Sequence, residues 1–273
     1  MLKLSCFADE ISPELGVQLK VMSRLGLKYM DFRSESDVSV LELSAARLKE
    51  IRSNLDDAGV RVACVGSAVG KIPFSDGLAP AMRQLEKAVE AAHAFETHFV
   101  RVFSFFQTED DPDVQIPRAA ERLRQMAEFA AGEEIVLVSE NECDVLTDTS
   151  PRCAKLLRLA DHPNLRAAFD PSNFRGVGER PFDESFPRLK PHIAYVHIKD
   201  SKNGTDEKVV AGQGDAQIAE LLEAFSQMGG LFLSLEPHLV SAGRYRGFSG
   251  KGPFSCAYDA LTGLLTRLGI AYE

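Results

Sequence analysis

Short runs rich in β-branched and aromatic residues alternate with longer stretches whose apolar residues recur at helical spacing, and the alternation repeats eight times. The runs cover residues 2–7, 29–32, 60–65, 98–103, 135–139, 165–169, 193–198 and 231–235. The first helical stretch opens at Ser12-Pro13-Glu14, where Ser can cap, Pro suits the first turn and Glu favours the positive helix end, and it stops near Gly26. Later ones are expected over 41–58, 79–94, from an acidic loop at 108–113 to Ala130, from Thr149-Ser150-Pro151 onward, over 182–189, 216–228 and 256–268. Eight such units in 273 residues average about 34 residues each, the pace of a (β/α)8 TIM barrel. The pattern therefore predicts an α/β fold, one barrel domain over residues 1–273. A doubly wound open sheet would carry a Gly-rich dinucleotide fingerprint after an early strand, and this chain has none.

Composition narrows the class. With 45% hydrophobic and 26% charged residues the chain can bury a large core, which excludes disordered and fibrous readings. A net charge of -9 argues against nucleic acid as a partner, because phosphate binding needs a basic surface. The start of the chain meets Asp9 and Glu10 before any signal-peptide core can form, and no apolar run is long enough to span a bilayer. Five scattered cysteines without a CxxC pair fit reduced thiols, hence an expected cytoplasmic location.

In a barrel of this kind chemistry collects at the C-terminal ends of the strands. The first four ends offer Asp9 and Glu10, Arg33, Lys71, and Arg101 with Phe103, Phe105 and Phe106. The last four are sharper: Glu140-Asn141, Asp170-Pro171-Ser172-Asn173, His197-Ile198-Lys199-Asp200 and Glu236-Pro237-His238. Glu140, Asp170, His197 and Glu236 are spaced 30, 27 and 39 residues apart, about one unit each, so all four should converge. A lone carboxylate there reads equally as a cap or an ion-pair partner, and His197 in its apolar run as a core histidine. Together, three carboxylates and an imidazole suit one divalent ion (Mn, Co, Zn or Mg), and burying the carboxylates without a cation would be costly. Lys71, Arg101, Asn173, Lys199 and His238 are the candidate substrate contacts. Arg246 joins them from a cationic, Gly-rich loop over 243–252, which reads either as an anion site or as a lid.

Several stretches resemble the xylose isomerase-like TIM barrel superfamily of sugar phosphate isomerases and epimerases. They are Phe7-Ala8-Asp9-Glu10-Ile11, Tyr29-Met30-Asp31-Phe32-Arg33, Gly66-Ser67 with Gly70-Lys71-Ile72, and Val196-His197-Ile198-Lys199-Asp200 followed by Gly212-Gln213-Gly214-Asp215. The resemblance implies a metal held by Glu140, Asp170, His197 and Glu236, with Glu140 and Glu236 as the acid/base pair. It implies a divalent-metal-dependent epimerase or isomerase acting through an enediolate on a small sugar ketose, phosphorylated or not. A lyase of the inosose dehydratase kind and a sugar-binding barrel without turnover are the alternatives. Asn141 and Asn173 stand where many relatives carry His, which sets the chain apart from the DNA-cleaving branch with its multi-metal cluster. Neither membrane nor nucleic acid is an expected partner, and a homo-oligomer is left open.

Overall fold

The computed structural model describes residues 1–108, 110–205, 207–240 and 247–273. Eight parallel strands form the central sheet: β1 (Lys3–Cys6), β2 (Tyr29–Phe32), β3 (Arg61–Val69), β4 (Phe99–Val102), β5 (Val136–Glu140), β6 (Leu165–Phe169), β7 (Ile193–Ile198) and β8 (Phe232–Leu235). Each pairs with its neighbours in sequence, β1 pairs with β8, and a parallel bridge from Phe7 to Asp31 joins β1 to β2 to complete the ring. Around it lie α1 (Leu15–Leu25), α2 (Ala45–Asp57), α3 (Ala79–Phe95), α4 (Pro112–Gly132), α5 (Ser150–Ala160), the short α6 (Pro171–Gly176) and α7 (Phe186–Leu189), α8 (Ile218–Met228) and α9 (Lys251–Arg267). The chain is a (β/α)8 barrel, as its periodicity predicts.

Two cores follow from the period of two along each strand. Outward residues such as Leu4, Met30, Val100, Leu137, Phe169, Val196 and Leu233 are buried against the apolar helix stripes, for example Ile116, Ala119, Ala120, Leu123, Met126 and Ala127 of α4. Inward, Ala63, Cys64, Val138, Ala168 and Tyr195 pack with Tyr29, Phe99 and Phe232 and plug the lower barrel. The apolar plug leaves the C-terminal half of the interior to polar side chains.

Some boundaries differ from the sequence expectation. β3 runs on through Gly66 to Val69, where a Cβ on Gly66 would lie 2.7 Å from the Phe7 ring, so this glycine permits close packing and does not end the strand. α1 starts at Leu15 because the Ser12 hydroxyl accepts from the Glu14 N–H (3.2 Å) in a turn ahead of the helix. α6 was not expected; Asp170 Oδ1 caps it by accepting from the Asn173 N–H at 2.8 Å. α9 begins at Lys251, five residues early. Among the described residues no helix is long and apolar enough to cross a membrane, and all five thiols are free.

The Gly-rich stretch after β7 has a structural task. The Asp200 carboxylate accepts backbone N–H groups from Ser201, Gly212, Gly214 and Ala216 at 2.9 to 3.1 Å, folding that loop against the end of β7. A Cβ on Gly214 would overlap the Asp200 carboxylate and lie 2.7 Å from the Ser201 carbonyl oxygen. Gly214→Ala is therefore expected to cost about 2–3 kcal/mol in urea unfolding; a loss below about 0.5 kcal/mol, the range of ordinary surface changes, would contradict the cage.

Candidate active site

Glu140 closes β5, Asp170 follows β6 at the start of α6, His197 is the next-to-last residue of β7, and Glu236 follows β8. All four are at most 2% exposed, and one ligand atom from each lies within 4.8 Å of the others. His197 Nδ1 stands 2.9 Å from Glu140 Oε1 and 3.6 Å from Glu236 Oε2, so the imidazole links the two glutamates.

Cations already surround these carboxylates. Arg101 Nη1 is 3.0 Å from Glu140 Oε2 and 3.8 Å from Glu236 Oε1, while Arg33 Nη1 is 3.2 Å from Glu236 Oε1. Lys199 Nζ is 2.7 Å from Asp170 Oδ2 and 3.5 Å from Glu236 Oε2. Both guanidinium groups lie over the Phe7 ring, 4.9 and 4.8 Å from its centre, and that ring meets His197 edge to face at 5.2 Å. Three buried cations thus face three buried carboxylates. Burying the carboxylates calls for a cation, as expected, and Arg33, Arg101 and Lys199 supply counter-charge beside the four candidate ligands.

The electrostatics follow. Burial raises the Glu140 carboxyl, but His197 and Arg101 more than offset it and hold it below its ordinary range. Burial likewise opposes ionisation of Glu236, and Lys199, His238 and His197 hold it well below that range. For Asp170, burial outweighs Lys199, and Glu140 and Glu236 push the same way, so it is raised. Lys199 loses hydration, yet Asp170 and Glu236 hold it well above its usual value. Both glutamates therefore stand ionised at neutral pH beside a protonated lysine.

The donor set fits a divalent ion. Ligand bonds of about 2.0 to 2.2 Å put donor atoms at most about 4.4 Å apart, so the four atoms need to close by only a few tenths of an ångström. Asp170 Oδ2 and Glu236 Oε2 are buried and face the Lys199 ammonium, at 2.7 and 3.5 Å, so an ion would take their lone pairs by displacing Lys199.

The other expected residues divide. Arg101 and Lys199 stand inside the cluster, and His238 Nε2 touches it at 3.4 Å from Glu236 Oε1. Asn173 holds the scaffold: its Nδ2 donates to the Asn141 carbonyl (2.9 Å), while Asn141 Nδ2 donates to the Asp170 carbonyl and its Oδ1 accepts the Asp170 N–H, both 2.9 Å. Lys71 lies outside the cluster, 2.7 Å from Glu142 Oε2 and over the Phe103 ring at 4.3 Å. Arg246, with the other residues of 241–246, lies outside the described residues. Phe105 is buried against Phe74, away from the site.

Asp9 and Glu10, which the sequence offers at the first strand end without a role, have positioning contacts here. Glu10 is fully buried, accepts from the His238 N–H (2.9 Å) and the Ser249 hydroxyl (2.8 Å), and lies 3.3 Å from His238 Nε2. Its carbonyl accepts from Ser249 and Gly250, so the segment after β1 anchors the segment after β8. Asp9 Oδ2 fixes Arg33 through Nε at 2.7 Å. No local motif carries these contacts, which span more than 20 residues in one case and more than 200 in the other. A separate cleft of about 510 Å³ opens at the N-terminal end of the barrel, between Tyr29, Arg61, Phe99 and Phe232, and contains none of the clustered groups.

The xylose isomerase-like TIM barrel family matches residues 19–246, and the chain belongs to that family. It is similar to the 3-dehydroshikimate dehydratase of Bacillus anthracis, with 30% identity over 129 residues, 47% of this chain and 46% of that enzyme. Among solved structures it resembles D-psicose 3-epimerase with D-tagatose from Clostridium cellulolyticum H10 (TM-score 0.76, 14% identity, covering 97% of this chain and 99% of that one). It also resembles a xylose isomerase-like TIM barrel protein from Mycobacterium smegmatis in complex with magnesium (TM-score 0.74, 17% identity, covering 98% and 97%).

Proposed function

We propose that the protein is a divalent-metal-dependent enzyme that enolises a small polyhydroxy ketone, an epimerase or isomerase of a ketose or ketose phosphate. The observation that carries this reading is the pair of ionised glutamates, Glu140 and Glu236, brought from the ends of β5 and β8 to the same ring nitrogen of His197 and to the same Arg101 Nη1. Glu140, Asp170, His197 through Nδ1 and Glu236 would hold the ion (Mn, Co, Zn or Mg). When bound it supplies positive charge that stabilises an enediolate. One glutamate removes the proton from the carbon beside the ketone; the other, ionised at rest, first takes a proton from solvent or from the Lys199 ammonium and delivers it to the opposite face, which inverts that carbon, and the first then releases its proton to solvent. Returned to the neighbouring carbon instead, the proton gives the aldose–ketose exchange. Arg33 and Arg101 keep the carboxylates ionised and add positive charge where the enediolate oxygen develops.

The dehydratase relative favours a second reading. It shares the enolisation step and then expels a hydroxyl from the next carbon as water, for which the protonated Lys199 beside Asp170 is a proton source. The substrate is a small molecule in either case, and the free thiols suit a reducing cytoplasm.

The test is incubation of Mn-loaded protein with a panel of ketoses and cyclic polyol ketones in deuterated water, read by NMR and mass spectrometry. Solvent deuterium beside the carbonyl with the skeleton intact is the expected result. Loss of one water from the substrate would select the dehydratase reading. Neither exchange nor water loss from any compound, in protein that does bind the ion, would overturn enolisation in favour of a sugar-binding barrel.

A further inference from the structure

Below the carboxylate cluster, the barrel interior contains a second polar layer that the proposed chemistry does not use. Asp31 points inward from β2, is 1% exposed, and receives the Tyr195 hydroxyl (2.6 Å) and the Ser5 hydroxyl, both on Oδ1. Its Oδ2 accepts nothing. Two further buried atoms are unpaired in this layer: the Ser234 hydroxyl and His197 Nε2. Strand register places Ser234 beside His197 on one side and beside Ser5 on the other. Tyr195, two residues before His197 on the same strand, presents its ring edge to face with the imidazole at 6.0 Å. Burial raises the Asp31 carboxyl, and His197, Ser5, Tyr195 and Ser234 all act against it, as groups gathered around one carboxylate do.

The three unmet atoms are complementary. A ring N–H needs an acceptor, a carboxylate oxygen needs a donor, and a serine hydroxyl between them is both. Leaving all three unpaired in the barrel would cost about 1–3 kcal/mol apiece. We propose that Asp31 is a positioning residue: through the Ser234 hydroxyl it holds the Nε2–H of His197, so that Nδ1, the donor to Glu140 without an ion, is the nitrogen that gives up its proton and turns its lone pair to an ion held by Glu140, Asp170 and Glu236. Nε2–H donates to Ser234 Oγ, and Ser234 O–H donates to Asp31 Oδ2. Tyr195 and Ser5 fix the carboxylate from its other oxygen. Metal-ligating histidines characteristically have such a partner on the second ring nitrogen, and its loss weakens metal binding about 10- to 100-fold.

The inference rests on the metal reading above, and its test separates the two. Zn2+ affinity is measured by calorimetry on wild type, Asp31→Asn, Ser234→Ala and Tyr195→Phe, and the His197 tautomer is read from two-bond 1H–15N spectra of 15N-histidine-labelled protein with and without Zn2+. Asp31→Asn and Ser234→Ala are expected to weaken Zn2+ binding about 10- to 100-fold and to abolish the protected Nε2–H signal. Tyr195→Phe removes one of the two donors to Oδ1 and leaves Ser5 and the Ser234 link in place, so it should weaken Zn2+ binding less than Ser234→Ala and keep the Nε2–H signal. Unaltered affinity and an unaltered Nε2–H signal in Ser234→Ala would overturn the proposal, and that variant decides alone should Asp31→Asn fail to fold by circular dichroism. Wild-type protein that binds no Zn2+ overturns the metal reading, while the Nε2–H signal and its loss in Ser234→Ala still decide the role of Asp31 in the metal-free protein.

Discussion

Glu140→Gln and Glu236→Gln are each expected to lower kcat on the enolised ketone by roughly 100- to 10,000-fold while the protein stays folded. That range is the usual contribution of a placed acid/base group. The amide keeps the side chain's size but removes the proton acceptor and one negative charge from a site where His197 and Arg101 depend on it. The two variants also separate epimerisation from isomerisation. An epimerase needs a group on each face of the carbon, so both fall; an isomerase that shuttles its proton with one carboxylate retains substantial proton exchange in one of them. Steady-state kinetics with deuterium exchange, alongside thermal unfolding to exclude misfolding, make the measurement. Full activity in either variant would remove that glutamate from the proton-transfer pair.

Lys199→Met is the second large effect, and it acts on stability. Lys199 is 4% exposed and its ammonium lies against Asp170 and Glu236, so its removal leaves two buried carboxylates short of a counter-charge. Losing one partner of a buried pair costs about 3–5 kcal/mol. A divalent ion would restore that charge, and in the variant it no longer competes with the ammonium. Saturating Mn2+ at about 1,000 times its dissociation constant stabilises a folded protein by about 4 kcal/mol. Metal-free Lys199→Met is thus expected to melt well below wild type and to gain more from Mn2+ than wild type does. Equal melting temperatures without metal, or an equal gain with it, would show that Lys199 does not occupy the ion's place.

How much of this was legible in the sequence depends on the range of the interaction. The eight strands could be read because each is a local run with its own period; the start of α1 and the whole of α6 turned on single local caps at Ser12 and Asp170, and the end of β3 on distant atoms. Gly66 looked like a stop but continues β3 because Phe7, from another strand, leaves no room for a side chain. Glu140, Asp170, His197 and Glu236 could be placed together because a parallel barrel brings every strand end to one rim. The cations could not be weighted: Arg33 and Arg101 stand at strand ends, unlike Arg52 paired with Asp56 on a helix, but nothing in the sequence separates a counter-ion there from a substrate contact. The His197-to-Asp200 stretch with its Gly-x-Gly-Asp partner stood out as a motif, yet the task of Asp200, a backbone cage, is visible only in the hydrogen bonds. Asp31 and Ser234 are single polar residues in apolar runs at inward positions, a signal present in the sequence that only the closed barrel gives meaning.

The central claim is that the four clustered side chains bind one divalent ion. Metal content by mass spectrometry, on protein equilibrated with Mn2+ and desalted, tests it most directly when run beside a Glu140→Ala/His197→Ala double variant. The account predicts about one ion per wild-type chain and none in the variant. Wild-type protein that retains no ion, or a double variant that retains as much, would contradict it and leave the neighbouring side-chain cations, Arg33, Arg101 and Lys199 among them, to balance the carboxylates.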